Sequence, residues 1–247
     1  MQGADDEPLS ASPLQGERTC FDIHFTNQLN VLMRMDQLLA ISPIDGRYRD
    51  KVEELQLFFS ESALMRFRML TEIEYFIALG NEPAIKKLPR MSKHNQKMLR
   101  SWYKNFSARD AKTIKSIEQT TNHDVKAIEY FLKKKLIKMP LARYQEWIHF
   151  ALTSEDINNL AYSLMWRDGL RQVYRPELDT IYKVICAFAR LHAKQPLLAL
   201  THGQSATPTT VGKEFAVFAS RLKRQTDQLR KQKFLGKLNG ATGTWSA

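Results

Sequence analysis

The sequence predicts an all-α fold, and three observations carry that expectation. Apolar residues recur at three- and four-residue intervals over long stretches. Gly and Pro are sparse, 10 and 9 among 247 residues, too few for a many-turned β-sandwich or a disordered chain. No segment reads as a credible strand. With 43% hydrophobic and 26% charged residues, the chain holds enough apolar material for a core and enough charge to stay in solution.

Residues 1–34 contain Ser10, Ser12, Pro13 and Gly16 and no sustained period, so a poorly ordered leader is expected, with Met35 a candidate natural start. Ser42 to Tyr48 is turn chemistry: Pro43 fixes φ and Asp45-Gly46 favours a tight reversal. Val52, Leu55, Phe58 or Phe59, Ser62, Met65 and Met69 then predict a helix over about 50–79, closed by Gly80-Asn81 as a C-cap. A loop with Pro83 and Pro89 leads to helices over about 92–106 and 109–118. Val125, Ile128, Phe131 and Leu132 predict another from Asp124, ending before Pro140. Thr153-x-x-Asp156 resembles a capping box opening a longer helix, with Ile157, Leu160, Ala161, Leu164 and Met165 as its apolar face. Pro176 should kink or interrupt that helix near Tyr174, after which Leu178, Ile181, Ile185, Phe188 and His192 resume the stripe. The last helix is expected to start near Thr207 as N-cap with Pro208 at its first position. Its Val211, Phe215, Phe218, Leu222 and Leu229 are spaced like a bundle seam.

The net charge of +11 favours anionic partners. Lys133, Lys134 and Lys135 form one run; Arg221, Lys223, Arg224, Arg230, Lys231 and Lys233 are scattered along another segment. Helical residues are about 100° apart, so both runs spread around a helix as solvated charge rather than forming one stripe. No nucleic-acid partner is expected on that ground. The apolar runs fall short of the ~18 residues that cross a bilayer, so no membrane partner is expected. Asp5, Asp6 and Glu7 argue against a signal or transit peptide. Cys20 and Cys186 lie far apart with no metal-type spacing, which suits a reducing, cytoplasmic setting.

Three polar segments interrupt the helical pattern beside apolar runs: Thr120 to Asp124, Thr153 to Asn159, and Thr201 to Thr210. Each stands at an expected helix start, where free N–H groups and a partial positive charge suit a phosphate or carboxylate. Thr, Ser, Asn and Asp also serve there simply as caps, and that plainer reading stands beside the first. Of the other histidines, His24 lies in the leader, His94 among surface charges and His192 on an apolar stripe. His149, one turn before Thr153, suits a packing or supporting role. No His-x-x-x-His or Cys-x-x-Cys pair points to a metal, and His123-Asp124 is an adjacent pair whose side chains would diverge on a helix. Gly240-Ala241-Thr242-Gly243 is too poor in glycine for a nucleotide loop, and no Gly-x-Ser-x-Gly elbow exists. Acid–base chemistry without a cofactor or metal remains, with histidine its natural carrier.

Ile41 to Tyr48, Thr121 to Ala127, Thr153 to Asn159, Thr201 to Gln204 and Leu235 to Ala241 stand in the order and at the separations of one family. From about Leu38 onward the chain resembles the bacterial-type branch of the adenylosuccinate lyases, in the fumarase/aspartase superfamily. After the leader over 1–34, the resemblance implies an N-terminal helical domain over 35–142, and over 143–247 the truncated start of a long-helix bundle. It implies a homotetramer when complete, with each active site built from three subunits, and an anionic purine nucleotide substrate. Arg47 and Tyr48 would meet the substrate's phosphate side. Asn122, His123 and Asp124 would hold substrate, with His123 near the phosphate or the acid–base centre. Thr153 and Ser154 would bind a succinyl carboxylate, and His202 would be the general acid. The implied activity is carbon–nitrogen lysis of the amidine-lyase type: β-elimination of fumarate from adenylosuccinate, giving AMP, and from the succinyl-aminoimidazole-carboxamide ribotide. The family's serine base sits in a Ser/Met/Pro/Lys/Asn loop that has no counterpart before Ala247, so this chain alone is expected to be an inactive fragment. Argininosuccinate lyase or fumarase fits Arg47-Tyr48 and Asn122-His123-Asp124 less well. A catalytically inactive paralogue and a basic nucleic-acid-binding helical module are the alternatives from other classes.

Overall fold

The computed structural model describes residues 37–245; the expected leader with Cys20 and His24, and the candidate start Met35, lie outside them. Helices dominate, as the periodicity predicts. After short 3-10 turns the chain forms α1 (Gln56–Phe59), α2 (Glu61–Asn81), α3 (Lys93–Lys104), α4 (Ala108–Thr121), α5 (Asp124–Leu136), α6 (Ser154–Gly169) and α7 (Arg175–Leu191). A hairpin of β1 (Pro196–Thr201) and β2 (Gln204–Thr210) follows, then α8 (Val211–Lys231).

The helix expected across 50–79 is broken at Ser60. Its ψ of 161° leaves the helical region, its Oγ accepts the Ala63 N–H, and the same hydroxyl donates to the Gln56 carbonyl. One serine thus closes α1 and caps α2, while the apolar interval continues across the break and hides it. Gly80 is not a C-cap: α2 runs through Asn81, and a Cβ at 80 would lie 3.2 Å from the Pro89 carbonyl oxygen, so the small residue admits the returning loop.

Met69, Ile73 and Phe76 of α2 are fully buried against Leu99 of α3, Ile114 of α4 and Leu132 of α5. Full burial of such side chains is worth about 1.5–3 kcal/mol each, so this cluster dominates the folding drive. A smaller cluster joins Phe58 of α1 and Phe67 of α2 to Ala161 and Met165 of α6. α2 therefore has packed neighbours on two sides, and whatever polar groups it carries between them are held rigidly.

Pro176 acts as expected. It lacks an N–H for the carbonyl four residues back, and the backbone widens into a π-helical turn over Leu170–Tyr174 before α7 continues. α7 and α8 approach until a Cβ at Gly212 would lie 2.2 Å from the Ala189 carbonyl oxygen, so only glycine fits. The Phe188 and Phe215 rings meet at 4.4 Å between centroids, yet Val184, Leu191 and Phe218 are 64%, 78% and 58% exposed. The expected bundle seam exists, and in a single chain much of it faces water. No helix among the described residues is long and apolar enough to cross a membrane.

The expectation of no strands, and of a last helix starting at Thr207-Pro208, is corrected by the hairpin. Thr201 pairs with Gln204 and Leu197 with Thr209, with a bulge between Leu198 and Leu200. His202 and Gly203 form the two-residue turn with φ of 50° and 74°, the positive pair that a type I′ turn requires. Pro208 is tolerated because a two-stranded sheet has a free edge on each side. The cap is Thr210, whose Oγ1 accepts the Lys213 N–H.

Candidate active site

Two of the three polar segments converge. Asn122 ends α4 in the left-handed region at φ 49°, a conformation its short amide side chain tolerates well. The chain then turns out to His123, which is extended and caps α5: its Nδ1 accepts the Lys126 N–H at 3.3 Å. With Nδ1 accepting, the neutral ring carries its proton on Nε2. That nitrogen lies 3.4 Å from Ser154 Oγ, at the start of α6. Two helix N-termini thus meet through one imidazole and one hydroxyl, each with a partly open side.

His123 stands before the helix rather than on it, so its ring does not diverge from Asp124; Nδ1 is 3.6 Å from Asp124 Oδ1. Arg68 of α2 donates from Nη2 to Asp124 Oδ2 at 2.5 Å and from Nε to Asn158 Oδ1 at 2.9 Å, tying the start of α5 to the N-terminal part of α6. Burial alone would raise the pKa of Asp124, but the Arg68 charge and the Val125 N–H outweigh it, and the carboxyl ionises below its ordinary value.

The capping box expected at Thr153 forms, the Asp156 carboxylate accepting the Thr153 N–H at 3.0 Å. Asp156 does much more. It is 1% exposed, under a thin cover of chain, and its other oxygen accepts from Lys237 Nζ, Asn239 N–H and Gly240 N–H. Asn159 clasps the same segment, accepting the Lys237 N–H and donating to the Lys237 carbonyl. Leu235 to Gly240 is thereby fastened beside the start of α6. Burial pushes the Asp156 carboxyl up, yet the Thr153 N–H, Lys237 and the Gly240 N–H together bring it below the usual range.

Within one chain, Arg47, Tyr48 and His202 do not join this cluster by any hydrogen bond or ion pair. Arg47 and Tyr48 are exposed on the 42–49 turn, the guanidinium 5.7 Å from its neighbour's ring centroid, and His202 is exposed at the hairpin tip. A cavity of about 390 Å³ between α2, α6 and residues 234–238 is lined mainly by apolar groups, among them Leu70, Ile157, Leu160 and Leu235, and by none of the eight expected site residues. It offers little to a dianion. His149 is not on a continuous helix with Thr153: it sits in a turn at φ 61°, its Nδ1 2.5 Å from the fully buried Glu72. Its packing role holds, through a partner 77 residues away in sequence. Among the described residues no group of three His, Cys, Asp or Glu side chains is arranged to hold a metal ion.

Residues 46–247 match a protein family described as Lyase. The chain belongs to the Lyase family. Relatives include the adenylosuccinate lyases of Haemophilus influenzae (46% identical over 216 residues) and Escherichia coli K12 (45% over 216 residues). That of Dictyostelium discoideum is 44% identical over 220 residues. Each comparison covers 87% of this chain and 47% of the relative, so the chain spans about half the length of the curated relatives it matches. Among solved structures, a fumarate lyase from Mesorhizobium sp. BNC1 superposes with a TM-score of 0.62 at 22% identity, over 80% of this chain and 44% of that one. The 3-carboxy-cis,cis-muconate lactonizing enzyme of Pseudomonas putida gives 0.60 at 20% identity, over 78% and 43%. These structural likenesses show a shared helical fold.

Proposed function

We propose that this chain supplies part of a cytoplasmic, cofactor-independent carbon–nitrogen lyase that eliminates fumarate from adenylosuccinate and from the succinyl-aminoimidazole-carboxamide ribotide. The observation carrying this reading is the meeting of His123 Nε2 with Ser154 Oγ at 3.4 Å between two helix N-termini. Two helix N-termini with a hydroxyl and an imidazole between them suit a dicarboxylate or a phosphate. The similarity to adenylosuccinate lyases at about 45% identity favours the succinyl purine among such ligands.

In this reading Thr153 and Ser154 take a succinyl carboxylate, while Asn122, His123 and Asp124 orient the substrate. A base removes the proton beside a carboxylate, and the electron pair delocalises into that carboxylate. The C–N bond then breaks, the pair forms the fumarate double bond, and His202 protonates the departing nitrogen. The base belongs to the family's serine loop, outside residues 1–247. His202 and the Arg47-Tyr48 turn stand away from the cluster in one chain, so they serve a site built with other copies, in a homotetramer whose contacts would cover the exposed seam of α7 and α8.

The basic runs do not favour a nucleic-acid module. Lys133 pairs with Glu129 and Glu146, Lys135 with Asp110, Lys223 with Asp227, and Arg230 with Asp179. The test is calorimetric titration of the chain with AMP, fumarate and a random DNA duplex at two salt concentrations. Fumarate or AMP binding that competes with adenylosuccinate is the expected result. Tight DNA binding that falls steeply with salt, with no nucleotide competition, would overturn the lyase reading.

A further inference from the structure

Behind the junction of α5 and α6, one face of α2 carries Arg68, Glu72 and Tyr75, spaced to stand above one another on the helix. Arg68, 5% exposed, grips Asp124 at the start of α5 and Asn158 early in α6. One turn on, Glu72 is 0% exposed; its Oε1 meets His149 Nδ1, and its Oε2 is buried without a hydrogen-bond partner. Tyr75 Oη donates to the Phe150 carbonyl at 3.0 Å. The His149-Phe150-Ala151 stretch they hold has positive φ at His149 and Ala151, 61° and 55°, and leads straight into Thr153 and Ser154. Such a backbone persists only when its surroundings over-determine it.

Stability alone is a poor account of this arrangement. Buried ion pairs lose in desolvation much of what they gain in attraction, and apolar residues of similar size are often as stable or more so. A carboxylate oxygen left without a donor costs more still. What the charges add is direction, since each holds a particular atom of a particular helix start.

We infer that Arg68 and Glu72 are positioning residues, which hold the N-termini of α5 and α6 so that His123 and Ser154 face one ligand. The inference rests on the reading of that junction as the substrate site. Arg68 sets the spacing of the two helix starts, and Glu72, through His149, sets the approach of the chain to Thr153. The charges acting on His149 are Glu72 of α2 and Lys126 and Glu129 of α5; Tyr75 of α2 feels Glu72 and Asp156 of α6. Burial alone would lower the His149 pKa, but the Glu72 hydrogen bond and charge, helped by Glu129, raise it above 6.5. A raised folded-state value means that the grip is complete below pH 6.5 and is lost as pH rises through that higher value.

The test follows the histidine ring resonances of the 247-residue chain by NMR from pH 5 to 9, with and without fumarate. In wild type the His123 ring should show a second inflection at the pH where His149 titrates. In Glu72→Gln that inflection should move down in pH with His149 or vanish, and Arg68→Lys should weaken fumarate binding by roughly 2- to 30-fold, the range for a residue acting on a site it does not touch. A role in stability alone would shift the melting temperature and leave the His123 curve unchanged. Identical His123 curves in wild type and folded Glu72→Gln would overturn the inference. Should Glu72→Gln not fold, His149→Asn gives the same comparison, and an unchanged His123 curve again overturns it. The inflection with no response to fumarate would support the positioning role and count against the substrate reading instead.

Discussion

His202→Asn should lower turnover of an enzyme extended to the length of its relatives by about 10²–10⁴-fold, the usual worth of a positioned proton donor. Asparagine is the informative replacement because it adopts the left-handed region readily, so the turn at φ 50° survives while the titratable proton is removed. The departing nitrogen would then leave as an anion or wait for water, and kcat falls because the missing interaction belongs to the transition state. Binding should change little. Adenylosuccinate disappearance followed by ultraviolet absorbance measures the rate, and equilibrium titration measures the affinity. Turnover within tenfold of wild type, with affinity retained, would remove His202 from the acid role.

Asp156→Ala should produce the largest loss of stability. The buried carboxylate accepts from Thr153, Lys237, Asn239 and Gly240, and its removal leaves the three backbone donors unpaired, at a cost of about 2–4 kcal/mol. Removing the cation alone, in Lys237→Met, should cost only about 1 kcal/mol, because that side chain is 35% exposed and three backbone donors remain. The Asp156 pKa is depressed in the folded state, so its contribution is whole above the ordinary carboxyl value of 3.8 and fades as pH falls through the lower folded value. Urea unfolding at pH 7 gives the free energies, and hydrogen exchange at Asn239 and Gly240 reports whether residues 235–240 have come loose. An Asp156→Ala chain as stable as wild type, with those amides still protected, would contradict the assignment.

The contrast between legible and hidden features is physical. Thr153 and Asp156 are legible as a cap because a capping box is local, and an interruption before Pro176 is legible because a missing N–H acts within one turn; the π form it takes is not. The wider reach of Asp156 is not legible either, since Lys237 and Gly240 lie 81 and 84 residues away and no periodicity links them. Arg68 and Glu72 are hidden for a related reason: a charged residue in an amphipathic helix reads as solvated until its distant partner is known. At the hairpin, Thr207-Pro208-Thr209 imitates a helix start, and the stronger evidence was the His-Gly pair between an apolar run and a Thr-rich one. The role of His202 comes from the family resemblance alone, and one chain leaves the residue exposed at a hairpin tip.

That separation makes mixed oligomers the most direct measurement. Full-length His202→Asn and Ser154→Ala variants, each inactive alone, would be dissociated, combined and reassembled. Sites drawing His202 from one copy and Ser154 from another should regain turnover, rising to a maximum near equal proportions. Mixed assemblies confirmed by two affinity tags, yet as inactive as either parent at every proportion, would contradict a centre shared between copies.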